Sequence, residues 1–203
     1  MSTSQVNWNS NIQFPSDSCF TLRVKNATFG PSKSAGNPMI TLDWEVVAPD
    51  TYEIGGQIVV IAGVNATSYH TTAHFNADGS PDEAKTSNDE AKVFIGNSAV
   101  GQSLFEKFGL DGSQEDKSNP NVKQFIGKCV LAQMRGKSDP VRRTPTGAQI
   151  AAAKKAGKHP EGDIQKNPVT GKEIVKWKSE VTEIFGLAPE GAGSNKPYWA
   201  YED

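Results

Sequence analysis

Cysteine is scarce in this 203-residue sequence: Cys19 and Cys129 are the two present. They form no Cys-x-x-Cys pair, which removes the usual zinc scaffolds and leaves free thiols in a reducing compartment as the expected state. Long apolar runs are missing as well, and none approaches the ~20 residues that cross a bilayer as a helix. The opening MSTSQVNWNSN has neither the basic stretch nor the apolar core of a secretory leader, so a cytoplasmic location is expected. Gly-x-x-x-x-Gly-Lys-Ser/Thr and Gly-x-Ser-x-Gly do not occur, excluding a P-loop ATPase and a nucleophile elbow. His70 and His74 stand four apart in HTTAH, but no third ligand or intervening glutamate joins them. They read as ordinary loop histidines, and no metal or cofactor is expected.

What the chain has is glycine (19) and proline (12), with 36% apolar and 22% charged residues, a balance that favours short strands and many turns in one sizeable domain. In CFTLRVKNATF (19–29), Phe20, Leu22 and Val24 alternate with Thr21, Arg23 and Lys25, the period of a half-buried strand. GPSKSAGNP (30–38) is a turn carrying Lys33, and MITLDWEVV (39–47) alternates again, so the pair predicts an antiparallel hairpin. Further strands are predicted over 55–63, 125–135 and 173–185. Residues 64–96 read as a polar insertion. Helices are predicted over 97–111, capped by Asn97 or Ser98 and ended by Gly109, and over 147–156, where Thr146 and Gln149 have capping-box spacing. Five strands with a helix between the third and fourth predict a mainly β, five-stranded OB-fold-like barrel with helical and loop insertions. A β-sandwich would give a similar string.

Charge is unevenly spread. Between Lys128 and Lys178 stand twelve Lys and Arg against four acids, while the chain as a whole carries −2. So concentrated a positive field attracts polyanions whatever the total. Strand parity sends Arg23, Lys25, Lys176 and Lys178 outward. The basic insert 135–160 adds Arg135, Lys137, Arg142, Arg143, Lys154, Lys155 and Lys158, and Lys33 and Lys128 extend the set. Single-stranded nucleic acid also needs exposed rings on which bases stack. Phe29, beside the 30–38 turn, is the best placed. Trp44 and Trp177 lie on apolar strand faces, which favours core packing, with stacking as their alternative; Tyr52, Tyr69 and Phe75 are weaker candidates in loops. Asp43 and Glu45 face outward together and are the carboxylates a metal-dependent nuclease would use, although paired surface acids are usually only solvated.

The run FGPSKSAGNPMITLDWEVV resembles the first hairpin of the OB-fold single-stranded-DNA-binding proteins of tailed bacteriophages. LFEKFGLD, FIGKCVLAQM and PVTGKEIVKWKSEVTEIFGL fit the same layout, and together they span most of residues 18 to 187. The resemblance implies a non-enzymatic protein that coats single-stranded DNA in phage replication or recombination, in the host cytoplasm. The polar, turn-rich residues 1–17 read as a flexible arm and 188–203 as a flexible tail with an aromatic, acidic tip, which leaves 18–187 as the binding domain. Tail residues Tyr198, Trp199, Tyr201, Glu202 and Asp203 would recruit replication or recombination enzymes, although two acids are fewer than such tails usually carry. No membrane partner is expected; a homo-oligomer is open. The rival readings are a phage structural or decoration protein and the nuclease.

Overall fold

Two long strands begin the fold as their alternation requires. In β1 (Cys19–Pro31) and β2 (Pro38–Ala48), Leu22, Val24, Ile40, Leu42, Trp44 and Val46 are buried. The strands pair antiparallel, with a register shift between Val24 and Asn26 that turns both Lys25 and Asn26 to the outside. The computed structural model describes residues 19–33, 35–54, 57–76, 78–156 and 160–189. The predicted arm 1–17, the tail residues Tyr198, Trp199, Tyr201, Glu202 and Asp203, and Lys158 lie outside the described residues. So do the side chains of Lys137, Lys176, Trp177 and Lys178.

The third strand is not where the sequence reading put it. Residues 55–63 contain β4 (Gln57–Val60), which pairs with β3 (Thr51–Ile54) in a separate two-stranded hairpin. The strand beside β2 is β5 (Asn65–Thr71), inside the supposed polar insertion. Its inward residues are Ala66, Ser68 and His70, so no apolar alternation marks it. β6 (Cys129–Pro140) and β7 (Val175–Leu187) complete a five-stranded sheet of order β1-β2-β5-β7-β6, closed into a ring by β6 pairing with β1. Every junction is antiparallel except β5–β7, which is parallel and holds for two residue pairs, Ala66↔Ser179 and Thr67↔Glu180. Cys19 pairs with Gln133 and Arg23 with Cys129, so the two free thiols lie four residues apart along β1, about 13 Å, too far for a disulfide.

A helical segment between β5 and β6 fills the gap where β5 and β7 separate. It comprises α1 (Glu83–Glu90), running on into one π turn (Ala91–Ile95), and α2 (Leu104–Lys107) with short 3-10 turns after it. The predicted helix over 97–111 is therefore one turn long. Asn97 closes a tight loop with Gly101 instead of capping, and the cap is Ser103. Ser103 Oγ accepts from the Glu106 N–H at 3.2 Å while the Glu106 carboxylate accepts from the Ser103 N–H at 2.6 Å. Gly109 ends the turn with φ +66°, as expected. The spacing of Leu104, Phe105 and Phe108 serves packing: Phe105 and Phe108 each meet Phe125 edge-on at 4.8 Å, and Phe108 stacks on Trp44 at 5.9 Å. Gly112 is fixed by the same cluster, because a Cβ there would overlap the Phe94 carbonyl and stand 2.9 Å from the Phe105 side chain.

Candidate nucleic-acid interface

The outer face of β1, β2 and β5 carries alternate residues of each strand. Register sets Asn26 beside Asp43, Thr28 beside Thr41, and Thr41 beside Tyr69. Tyr69 is 58% exposed and stands on this face, on β5. Sequence pattern ranks it low because no apolar alternation marks the strand that carries it. Phe75, 46% exposed, follows β5. Two of the rings favoured from sequence, Trp44 and Phe29, are turned to the inner side. Trp44 is fully buried, and its indole N–H donates to Ser68 Oγ at 2.9 Å, so it is a core residue and not a stacking platform. Phe29 lies opposite the buried Ile40, on the inner side, and is half-buried against the core. Tyr52 packs on Phe20 with ring centroids 5.4 Å apart.

The cations divide into two groups. Arg23 and Lys25 point outward as expected, but both meet Glu45. Arg23 Nε donates to Glu45 Oε1 at 2.7 Å, its second nitrogen also contacts that oxygen, and Lys25 Nζ stands 3.7 Å from Oε2. The hydrogen bond from Arg23 holds the Glu45 carboxyl below the usual carboxylate range, and Glu45 in turn raises Arg23. Asp43 accepts from Asn26 at 3.2 Å and from Thr67 at 3.3 Å. Glu45 thus neutralises part of the positive face; among the described residues no group of three or more His, Cys, Asp and Glu that could hold a metal ion is found. Lys128 is level with Val24, whose N–H donates to its carbonyl at 3.1 Å, so Lys128 neighbours this group. Lys33 sits at the other end of β1, in the 32–37 turn, about 25 Å from Lys25 by strand rise.

The second group belongs to an arm. Beyond the ring, β6 and β7 continue as a two-stranded ribbon, with Pro140 opposite Val175. That is why Val175 is exposed rather than sharing a buried face with Val181. Past the ribbon, the chain adds a strand-like segment: Arg142 bridges to Ile164 and Lys166 to Glu173. The expected loop is therefore largely structured. Residues 141–174 hold seven Lys and Arg against three acids. α3 (Gly147–Lys155) rides on this arm with the predicted capping box: Thr146 Oγ1 accepts from the Gln149 N–H at 3.3 Å, and the Gln149 side-chain oxygen accepts from the Thr146 N–H at 2.9 Å. Gln149 Nε2 donates to Asp163 at 2.8 Å, tying helix to arm. α3 buries no residue. Arg142 is 3.2 Å from Glu161 and donates to the Gly162 carbonyl at 3.2 Å, and Arg135 is 3.2 Å from Glu180. Arg143, Lys154 and Lys155 point to no acid within ion-pair distance among the described residues.

The two histidines serve separate structures. His74 Nε2 meets Asp89 at 2.8 Å and its Nδ1 lies 3.0 Å from Asn37 Nδ2, while Asn37 Oδ1 accepts from the Phe75 N–H at 3.2 Å. Because that acceptance fixes the amide orientation, Asn37 donates to Nδ1 and the His74 proton sits on Nε2, facing Asp89. The 32–37 turn carrying Lys33 is anchored to α1 in this way. His70 belongs to β5 and bonds to Ser68. No family model, curated protein or solved structure matches the chain.

Proposed function

We propose that the ring is an OB-fold and that the chain is a sequence-tolerant single-stranded-DNA-binding protein without catalytic activity, serving phage DNA replication or recombination. The ring order and the parallel β5–β7 junction support the fold. In an OB-fold the second and third barrel strands, with the connections between strands one and two and between four and five, form the oligonucleotide surface. Here these are β2, β5, the turn 32–37 and the arm 141–174. One observation carries the reading: the exposed Tyr69 ring stands on the β2–β5 face, with a cation-bearing connection at each end of it. A ring gives any base a π-surface, and the cations meet phosphates without reading sequence. The Arg23–Glu45 pair is solvent-exposed, a kind of pair that adds little to stability, so Arg23 can be redirected to a phosphate at small cost.

Fluorescence anisotropy with labelled single- and double-stranded oligonucleotides, over a salt series and with and without Mg²⁺, tests the proposal. Preference for single strands, steep loss of affinity with salt and intact oligonucleotide are expected. Absence of binding at low salt would turn the reading toward a structural or decoration protein, and Mg²⁺-dependent cleavage toward a nuclease.

A further inference from the structure

Where β5 and β7 separate, the wall of the ring opens into a cavity of 320 Å³ between these strands and the helical segment. It is on the opposite side of β5 from Tyr69, since Ser68 and His70 face inward and Tyr69 outward. The volume is at the lower end of the ~300–1,000 Å³ typical of small-molecule sites. The floor is a hydrogen-bonded chain: the Trp44 indole N–H donates to Ser68 Oγ at 2.9 Å, and Ser68 Oγ lies 2.9 Å from His70 Nε2.

The tautomer in which the Ser68 hydroxyl, while accepting from Trp44, donates to His70 Nε2 leaves the ring proton on Nδ1. His70 Nδ1–H has no protein acceptor among the described residues. His70 is half-buried and lines the cavity, so this donor can meet a ligand there. Burial and the positive charge of Lys107 hold the ring neutral, with a pKa pushed down to about 4. Lys107 and Lys92 both line the cavity, with the side chains of Gln102 and Thr182, and the acid among the lining residues is Glu183. Lys92 is 3.6 Å from Asp89, whereas Lys107 meets no acid within ion-pair distance among the described residues. Leu104 and Val181 supply an apolar side. Two ammonium groups and a neutral imidazole N–H beside an apolar wall suit a compact, highly charged anion.

We propose that this cavity binds a small phosphate-bearing molecule, its phosphate held by Lys107 and His70 Nδ1–H. This goes beyond the DNA-binding reading and does not depend on it. The phosphate could belong to a free small molecule or to the 5′ end of a DNA strand, and the test separates these sources. His70 is followed by NMR in the full-length chain, with inorganic phosphate, a deoxynucleoside monophosphate, and short oligonucleotides with and without a 5′-phosphate, against chloride at equal ionic strength. A saturable shift of the His70 ring resonances is expected with phosphate or the monophosphate, with affinity about tenfold weaker in Lys107→Gln, the effect of losing one charge-assisted bond. A shift that requires the 5′-phosphorylated strand would identify the DNA end as the source. Thr182→Val, expected to weaken binding to a smaller degree, provides a second reading should Lys107→Gln not fold. Absence of a saturable shift with every probe, or binding undiminished in both variants, would overturn the proposal; neither result bears on anisotropy with unphosphorylated DNA.

Discussion

Gly162 is the position at which the arm can be unfastened without touching the ring. It is buried against the Arg143 backbone, and a Cβ at Gly162 would overlap the Arg143 carbonyl oxygen and stand 2.7 Å from its carbon. Neither partner is a flexible side-chain end, so Gly162→Ala must drive the two segments apart. Three of the bonds that bridge them would be lost first: Arg143 N–H to the Asp163 carbonyl at 2.9 Å, Arg142 to the Gly162 carbonyl at 3.2 Å, and Gln149 Nε2 to Asp163 at 2.8 Å. At about 1 kcal/mol net for each, their loss amounts to about 3 kcal/mol, or roughly a hundredfold in the opening equilibrium. α3 follows, because a helix of nine residues is marginal when nothing holds it.

Hydrogen exchange reads this directly. Protection of Arg143, Gln165 and Ile150 amides is expected to fall about a hundredfold in Gly162→Ala, with the amides of Leu42 and Trp44 unchanged. The consequence for DNA is separable from that of losing charge. Gly162→Ala keeps every lysine and arginine, so the salt dependence of single-strand binding should keep its slope while affinity drops by up to about a hundredfold, the ordering cost of the arm. Unaltered protection in the arm, or an equal loss in β2, would refute the reasoning about Gly162. A flattened salt slope would refute the separation of ordering from charge.

Replacing Arg142, Arg143, Lys154 and Lys155 together by Ala should do the reverse, reducing the slope of log affinity against log salt by about 3 as four phosphate contacts disappear; an unchanged slope removes the arm from the interface. Tyr69→Ala should weaken single-strand binding by about 1–3 kcal/mol with the melting temperature kept, whereas Trp44→Ala should cost about 3–5 kcal/mol of stability, as anisotropy and thermal denaturation would show. Stability should also fall as the pH is lowered. His70 titrates near 6.5 when unfolded and at about 4 when folded, so the unfolded chain binds the extra proton between those values. Its contribution, about 3 kcal/mol, is present above pH 6.5 and lost on going down to pH 4; the charged groups that line the same cavity are Lys92, Lys107 and Glu183. Chemical denaturation of the wild type and His70→Gln across this window checks it, and identical pH profiles would contradict the assignment.

The strands legible in the sequence are those whose inward positions are large and apolar. β1 and β2 announce themselves through Leu22, Val24, Ile40, Leu42 and Trp44, and all of these are buried. β5 is as much a part of the ring, yet its inward positions are Ala66, Ser68 and His70, because the facing space is already taken by Trp44 and the cavity beside it. Period-two hydrophobicity reports what fills the interior, and a strand that borders a polar cavity has little to report. The same cause hid the candidate site. With β5 unread, Tyr69 had no face, and His70 and His74 had only their sequence spacing. The capping boxes fared unevenly for a local reason. Thr146 and Gln149 precede an uninterrupted alanine run, whereas Asn97 and Ser98 compete with Ser103 a few residues on, where Glu106 can return the bond. Parity also could not show that Glu45 would neutralise Arg23 and Lys25, since that pairing depends on the register of β1 against β2 and on the shift after Val24. The arm is then the positive charge least engaged by the protein itself. Arg143, Lys154 and Lys155 lie on it, and a polyanion that reaches the arm meets them without first breaking an ion pair seen among the described residues.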